Sequence, residues 1–145
     1  MDTNGKPILE IRDVSKIYKT KAGLLAGRGK AVVALDRISL EINKGEIFGL
    51  VGESGSGKTT AGRLIVSLEE TDFGEILMDG QPVTGLKGKR LKKFRKKAQM
   101  IFQDPNSSLD PRMNVMEIIN EPVVINGTKP GSEIQEWVEH LMATV

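Results

Sequence analysis

The chain has 145 residues, enough for one domain with a hydrophobic core and too few for two ordinary domains. Its 39% hydrophobic and 28% charged residues are typical of a globular protein, and no apolar run approaches the ~20 residues that span a bilayer. The absence of cysteine excludes disulfides and thiolate metal sites, and a single histidine, His140, excludes a multi-histidine metal site.

Two strands are predicted near the N-terminus. Residues 8–18 alternate apolar and polar side chains, as a half-buried strand does, and residues 32–42 repeat this pattern. The stretch between them, 19–31, is rich in glycine and lysine and has no sustained period. We expect that stretch to be a flexible surface loop.

The next segment passes from an apolar run through a glycine-rich loop into a helical pattern. Residues 47–51 read IFGLV, a continuous apolar run that predicts a parallel strand covered on both faces. The loop GESGSGKTT follows, and Ala61, Leu64, Ile65 and Leu68 then recur at helical spacing. A strand, a glycine-rich loop and a helix in this order are the structural context of a phosphate-binding loop.

The loop matches the Walker A pattern, Gly52-x-x-x-x-Gly57-Lys58-Thr59, at every defined position. Glycines allow the backbone to wrap closely, so that successive N–H groups converge on phosphate oxygens at the positive end of the following helix. The lysine supplies charge for the β and γ phosphates, and the threonine hydroxyl ligates Mg²⁺. The sequence therefore predicts binding of ATP and Mg²⁺ by Gly52, Ser54, Gly55, Ser56, Gly57, Lys58, Thr59 and Thr60.

A hairpin is predicted over 74–84, with Asp79-Gly80 as its tight turn, and 98–103 predicts another buried strand. Between them, 87–97 predicts a helix that holds eight of the 21 basic residues and none of the 19 acidic ones. Such a run could bind nucleic acid or anionic lipid headgroups, or could be an ordinary solvated face. The only aromatic residue in it is Phe94, so we favour the solvated face and expect no nucleic acid partner.

The C-terminal part predicts two helices. Val115, Ile118 and Ile119 give a short helical face that should end near Pro122. The last helix is predicted over 132–143, with its apolar face formed by Ile134, Trp137, Val138, Leu141 and Met142.

Several strings together resemble the ATP-binding subunits of ABC transporters. The phrases LVGESGSGKTT, GEILMDGQPV, MIFQDPNSSLDPRMNV and EIINEP are most similar to the ATPases of oligopeptide, dipeptide and nickel importers. The likeness covers roughly residues 8–145 and weakens after Pro122.

The resemblance implies an α/β fold of the ABC-type P-loop NTPase class. It implies one partial nucleotide-binding domain over 1–145, with a β-rich N-terminal subdomain and a partial parallel-sheet core in 8–104 and the start of a helical subdomain in 105–145. Tyr18 corresponds to the aromatic residue that stacks on adenine. Gln103 corresponds to the glutamine that senses Mg²⁺ and the attacking water, and with Lys58 it makes up the implied catalytic set.

The same resemblance implies partners and a location. The implied partners are two integral-membrane permease subunits and a second ATPase subunit, which places the chain in the cytoplasm on the inner face of the membrane. Its implied function is to couple ATP binding and hydrolysis to solute uptake.

The family pattern is incomplete in this sequence. No LSGGQ-like signature, no apolar run ending in Asp-Glu and no switch histidine follow, and His140 lies before the point where the signature would come. We therefore expect an N-terminal portion of an importer ATPase that hydrolyses ATP slowly or not at all alone, and that leaves an apolar strand edge exposed. A non-hydrolysing nucleotide-binding fragment with a regulatory or vestigial role is the alternative, and a P-loop kinase is disfavoured.

Overall fold

The computed structural model describes residues 6–19, 30–104, 109–127 and 131–145, with the side chain of Ser132 left out. The chain divides into two compact units, Met1–Met100 and Ile101–Val145. The predicted loop over 19–31 and the string PNSS at 105–108 lie almost wholly outside the described residues.

The first unit is organised around one antiparallel sheet of four strands in the order β2-β1-β3-β4. The central strand β1 pairs with the long strand β2 on one side and with β3 on the other, and a tight turn at Asp79-Gly80 joins β3 to the short β4. The predicted strands at 8–18 and 32–42 and the predicted hairpin are confirmed. The bounds are β1 Leu9–Lys19, β2 Ala31–Ile42, β3 Phe73–Met78 and β4 Gln81–Pro82.

Irregularities interrupt the pairing of β1 with β2. The register between the two strands shifts three times, and Asp13 and Arg37 both have φ of 48°. Serine hydroxyls accept the backbone N–H groups at these two positions, Ser39 from Asp13 and Ser15 from Arg37, each at 2.9 Å. Gly74 lies against the bend, where a Cβ would come within 2.4 Å of the Asp13 carbonyl oxygen. The bulge therefore requires glycine on the neighbouring strand.

Two helices cover the sheet. Helix α1 (Lys58–Ile65) buries Ala61 and Leu64, and helix α2 (Gly88–Arg95) buries Phe94. These side chains join those of the sheet in one hydrophobic core, because each helix presents its apolar stripe to the same face. The buried core consists of Leu9, Ile11, Val14, Leu35, Ala61, Leu64, Ile76, Val83 and Phe94.

The predicted strands at 47–51 and 98–103 are wrong. Neither segment pairs with a strand among the described residues, so the predicted parallel-sheet core is not formed there. Ile47 is 100% exposed and Val51 90%, and in the second unit Ile101 is 93% exposed. A buried parallel strand needs hydrogen-bonded neighbours on both sides, and the described strands are all used in the antiparallel sheet. These apolar side chains are therefore exposed in segments that form no strand, and the expected exposed strand edge or sheet face stays a prediction.

The second unit contains helices α3 (Val115–Asn126) and α4 (Gly131–Thr144). A reciprocal capping box starts α3: the Asn114 side chain accepts the Glu117 N–H at 2.9 Å, and the Glu117 carboxylate accepts the Asn114 N–H at 2.8 Å. The prediction that this helix ends near Pro122 is wrong, because the helix continues to Asn126, with Gly127 as its left-handed cap. The missing proline N–H removes one donor to Ile118, and the cap at each end holds the helix together.

Few apolar side chains of the second unit are buried. Val123 is buried and Val138 is fully covered, whereas Val115, Val124 and Ile125 are more than half exposed. Within the described ranges, no helix has the length and apolar character needed to cross a membrane.

Candidate nucleotide-binding site

The glycine-rich loop over 52–57 leads into α1, and Gly57 fixes how closely it approaches the sheet. This glycine has φ of 93°, and a Cβ on it would lie 2.5 Å from the Ala34 carbonyl oxygen and 2.7 Å from Leu35 Cδ2. Both the left-handed conformation and the missing side chain are needed. The loop is thereby seated against β2 in the same unit as its helix.

The N-terminus of α1 is open to an anion. It has no side-chain cap and no acidic residue in its first turn, and the Ala61 N–H donates to the Gly57 carbonyl oxygen at 2.8 Å. The N–H groups of the first turn have no acceptors within the helix, and the helix dipole adds positive potential. A phosphate group supplies both the acceptors and the negative charge.

The side chain of Lys58 is folded onto its own loop. Its ammonium donates to the carbonyl oxygens of Gly52 at 2.7 Å and Glu53 at 2.6 Å, and lies 3.3 Å from the Ser56 hydroxyl. The ammonium thus lies beside the N-terminus of α1, held by two backbone carbonyl oxygens and one hydroxyl. No ion pair between it and a carboxylate occurs among the described residues. These residues fit the phosphates of a nucleotide.

Tyr18 lies at the end of β1, and its ring is 37% exposed. Its hydroxyl donates to the Glu69 carboxylate, and the Lys16 ammonium lies 5.6 Å from the ring centroid. The bond to Glu69, followed by desolvation, raises the pKa of the Tyr18 phenol, and a weaker hydrogen bond with Thr60 opposes it.

The loop after α1 holds the end of β1 in place. Asp72 accepts the Ile17 backbone N–H at 2.6 Å, and the Lys16 ammonium donates to the Glu70 carbonyl oxygen at 2.6 Å. Glu69 also pairs with Arg63 of α1 at 3.4 Å. Glu69 could not be located from sequence patterns, because its partner Tyr18 is 51 residues away.

The remaining predicted residues are distributed over both units. Thr59 is exposed in the first turn of α1, and Ser54 and Gly55 lie in the exposed part of the loop. Gln103 belongs to the second unit and is exposed, so its role as a Mg²⁺ sensor stays a prediction. No cluster of three or more His, Asp or Glu side chains able to hold a metal occurs in the described part of the chain.

Comparison with known proteins assigns the sequence to a family. The profile of the family described as ABC transporter matches residues 35–145. The oligopeptide transport ATP-binding protein OppF of Streptococcus mutans is 50% identical over 121 residues, which are 83% of this chain and 37% of the relative. The oligopeptide transport ATP-binding protein AppF of Bacillus subtilis is 43% identical over 143 residues, 98% of this chain and 44% of that protein.

Solved structures agree with this likeness. The dimeric structure of MJ0796, described as a bacterial ABC transporter cassette, superposes with a TM-score of 0.69 at 28% identity. The superposition covers 88% of this chain and 53% of that one. The same cassette in a post-hydrolysis state bound to ADP and Pi gives the same TM-score at 27% identity. The chain thus spans less than half the length of the two transport relatives and about half of the solved cassette.

Proposed function

The chain belongs to the ABC transporter family, and from that premise we propose that it is the ATP-binding component of an importer. It would couple ATP binding and hydrolysis to the uptake of oligopeptides, dipeptides or a related solute. Two relatives described as oligopeptide transport ATP-binding proteins, 50% and 43% identical to this chain, support that solute class.

The contacts of the Lys58 ammonium with its own loop are the observation that supports the proposal of nucleotide binding. The ammonium is already gathered beside an uncapped helix N-terminus, so ATP phosphates exchange with the carbonyl oxygens of Gly52 and Glu53 as its partners. Gly57 keeps this loop against the sheet, and Ser54, Gly55 and Ser56 line it. The exposed ring of Tyr18, linked through Glu69 to Arg63 of α1, is the proposed stacking surface for adenine.

Mg²⁺, when bound with the nucleotide, neutralises charge between the β and γ phosphates. The hydroxyl of Thr59, exposed in the first turn, is the proposed protein ligand for it, together with Gln103.

The transport part of the proposal extends to partners and location. We propose that the chain works with integral-membrane permease subunits and a second ATPase subunit, on the cytoplasmic face of the membrane. The dimeric form of the solved cassette supports the second ATPase subunit.

The isolated chain is proposed to bind ATP with little turnover. Hydrolysis needs a group that orients water and charge that stabilises the transition state, and this sequence has no Asp-Glu pair after an apolar run. The alternative that we proposed from the sequence is a nucleotide-binding module without turnover. Restored hydrolysis on adding the C-terminal part of a longer relative would separate the importer ATPase from that module.

Titration calorimetry with Mg²⁺ and ATP tests the binding step. Lys58→Ala should weaken binding by about tenfold or more, because it removes the phosphate-facing charge. Lys44→Ala, which removes an exposed lysine from the turn after β2, is the matched control and should bind as the unmodified chain does. Absence of binding by the unmodified chain, or equal binding by Lys58→Ala, would contradict the proposal.

A second variant tests the metal assignment. Thr59→Ala should lose the affinity that Mg²⁺ adds, while its affinity for ATP with EDTA stays unchanged. Turnover is measured on the same samples by phosphate release. A rate comparable with an intact relative, abolished by Lys58→Ala, would contradict the proposed lack of turnover.

A further inference from the structure

Helix α2 separates its apolar and charged side chains onto opposite faces. Phe94 is buried and Leu91 packs against the core of the first unit. On a helix of 3.6 residues per turn, four lysines lie on the side away from those two anchors. All four are exposed, and we call them the lysine face: Lys89, Lys92, Lys93 and Lys96.

The charge of this surface is not balanced by nearby sequence. There is no acidic residue between Asp79 and Asp104. The first turn of α2 holds no acid, although the helix dipole would favour one there, and Lys87, Lys89 and Arg90 crowd that end instead. Basic side chains at the N-terminal end of a helix lower its stability. A contribution to helix stability therefore does not explain why these lysines are there.

Two further basic residues tie the C-terminal end of α2 to the rest of the first unit. Arg95 donates to the Ser67 carbonyl oxygen in the loop after α1 at 3.0 Å, and Lys97 pairs with Asp79 of the β3–β4 turn at 3.3 Å. Together with the buried ring of Phe94, these contacts hold the helix that carries the lysine face.

A groove with an apolar floor runs beside the lysine face. It has a volume of about 330 Å³ and lies between α2 and the β3–β4 turn. Its apolar lining includes Met78, Pro82 and Phe94, and its charged lining consists of Arg90, Lys93, Lys97 and one carboxylate, that of Asp79. A cationic surface beside an apolar groove suits a ligand that combines negative charge with hydrocarbon.

We propose that the lysine face and this groove bind a membrane surface of anionic phospholipid headgroups. Four to eight basic residues on an amphipathic helix are a pattern of anionic-lipid binding, and lysines are compact point charges that need no fixed register with a planar array of phosphates. Nucleic acid fits less well, because Phe94 is buried and the helix exposes no aromatic ring for stacking. The interaction does not require nucleotide.

Co-sedimentation with vesicles tests the assignment. The unmodified chain should bind vesicles of phosphatidylglycerol mixed into phosphatidylcholine, fail to bind pure phosphatidylcholine, and lose binding as salt rises. The double variant Lys89→Gln/Lys93→Gln should bind roughly 30-fold more weakly, from a contribution of roughly fivefold per lysine near an anionic leaflet.

Two controls separate this interaction from net charge and from nucleotide binding. Lys6→Gln/Lys44→Gln makes the same charge change at exposed positions outside α2 and should retain vesicle binding. Lys58→Ala should also retain it, so failure of the lipid proposal and failure of ATP binding are distinguishable. Circular dichroism of each variant confirms the fold. An unfolded double variant is replaced by the two single variants, Lys89→Gln and Lys93→Gln, each of which should weaken vesicle binding roughly fivefold.

Three results would overturn the proposal. The first is equal binding by the double variant and the unmodified chain. The second is tighter binding to an RNA duplex than to the anionic vesicles at the same salt. The third is self-association of the chain that the double variant abolishes, while vesicle binding stays negligible. In that case the lysine face would bind a second copy of the chain, through the exposed carboxylates Glu133, Glu136 and Glu139 of α4.

Discussion

The two units of the chain achieve order by different means. In the first, side chains far apart in sequence bury one another, with Val14 and Ile76 fully covered in a core built from strands and two helices. In the second, interactions between residues close in sequence are more prominent: a capping box starts α3 and a left-handed glycine ends it. Among the described residues of this unit, the buried apolar side chains are Val123 of α3 and Val138 of α4. Burial of apolar area is the larger stabilising term in proteins. We therefore expect the first unit to resist denaturant better.

The largest expected difference comes from two glycines that share a left-handed conformation. Gly57→Ala should lower the free energy of unfolding by about 3 kcal/mol or more, because its Cβ would meet the Ala34 carbonyl oxygen as well as an unfavourable φ. Gly127→Ala meets nothing within 4 Å and should cost only about 1 kcal/mol. Urea unfolding followed by circular dichroism measures both. Equal losses would mean that the close approach of the loop to β2 is not formed.

Two valines give a matched comparison of packing. Both Val14 in β1 and Val138 in α4 are fully buried. Val14→Ala should destabilise the first unit by about 2 kcal/mol through the lost methyl groups and lower strand propensity. Val138→Ala should cost about 1 kcal/mol or less, since alanine favours a helix and fewer neighbours lose contacts.

The measurement for this pair uses two local signals. Trp137, the single tryptophan, reports the second unit by fluorescence, and far-ultraviolet circular dichroism follows the whole chain. A larger loss for Val138→Ala than for Val14→Ala would reverse the comparison between the units.

A smaller effect is expected from pH. The Glu69 carboxylate raises the pKa of the Tyr18 phenol above its usual value near 10, so the neutral phenol is favoured in the folded chain. Its contribution to stability is full below the pKa of the unfolded chain and is lost as pH rises through the raised folded value. Tyr18 is the only tyrosine, so absorbance of the phenolate titrates it alone. Glu69→Gln should lower the midpoint, and an unchanged midpoint would show that the bond to Glu69 is not formed in solution.

Features set by local chemistry were predictable from the sequence. Strands β1 and β2 follow from alternation, the hairpin from Asp79-Gly80, and the phosphate loop from its glycine spacing. The predicted strands at 47–51 and 98–103 do not form. A continuous apolar run indicates only that a segment favours burial, and it does not show that a neighbouring strand is available for pairing.

The contacts of the candidate site divide in the same way. The loop from Gly52 to Thr59 could be located from sequence, whereas the bond from Tyr18 to Glu69 joins residues 51 apart and has no local pattern. The continuation of α3 through Pro122 was also missed, since the signals that outweigh the proline lie at its two ends, in Asn114 and Gly127.

The hydrogen bonds of Lys58 make nucleotide capture an exchange reaction. Its ammonium is already satisfied by the Gly52 and Glu53 carbonyl oxygens, so an arriving phosphate competes with partners that are covalently attached and always present. The heat of binding then reports the difference between two sets of contacts. These hydrogen bonds also hold the loop in its closed conformation before the nucleotide binds, so the loop needs little reorganisation when the phosphates arrive.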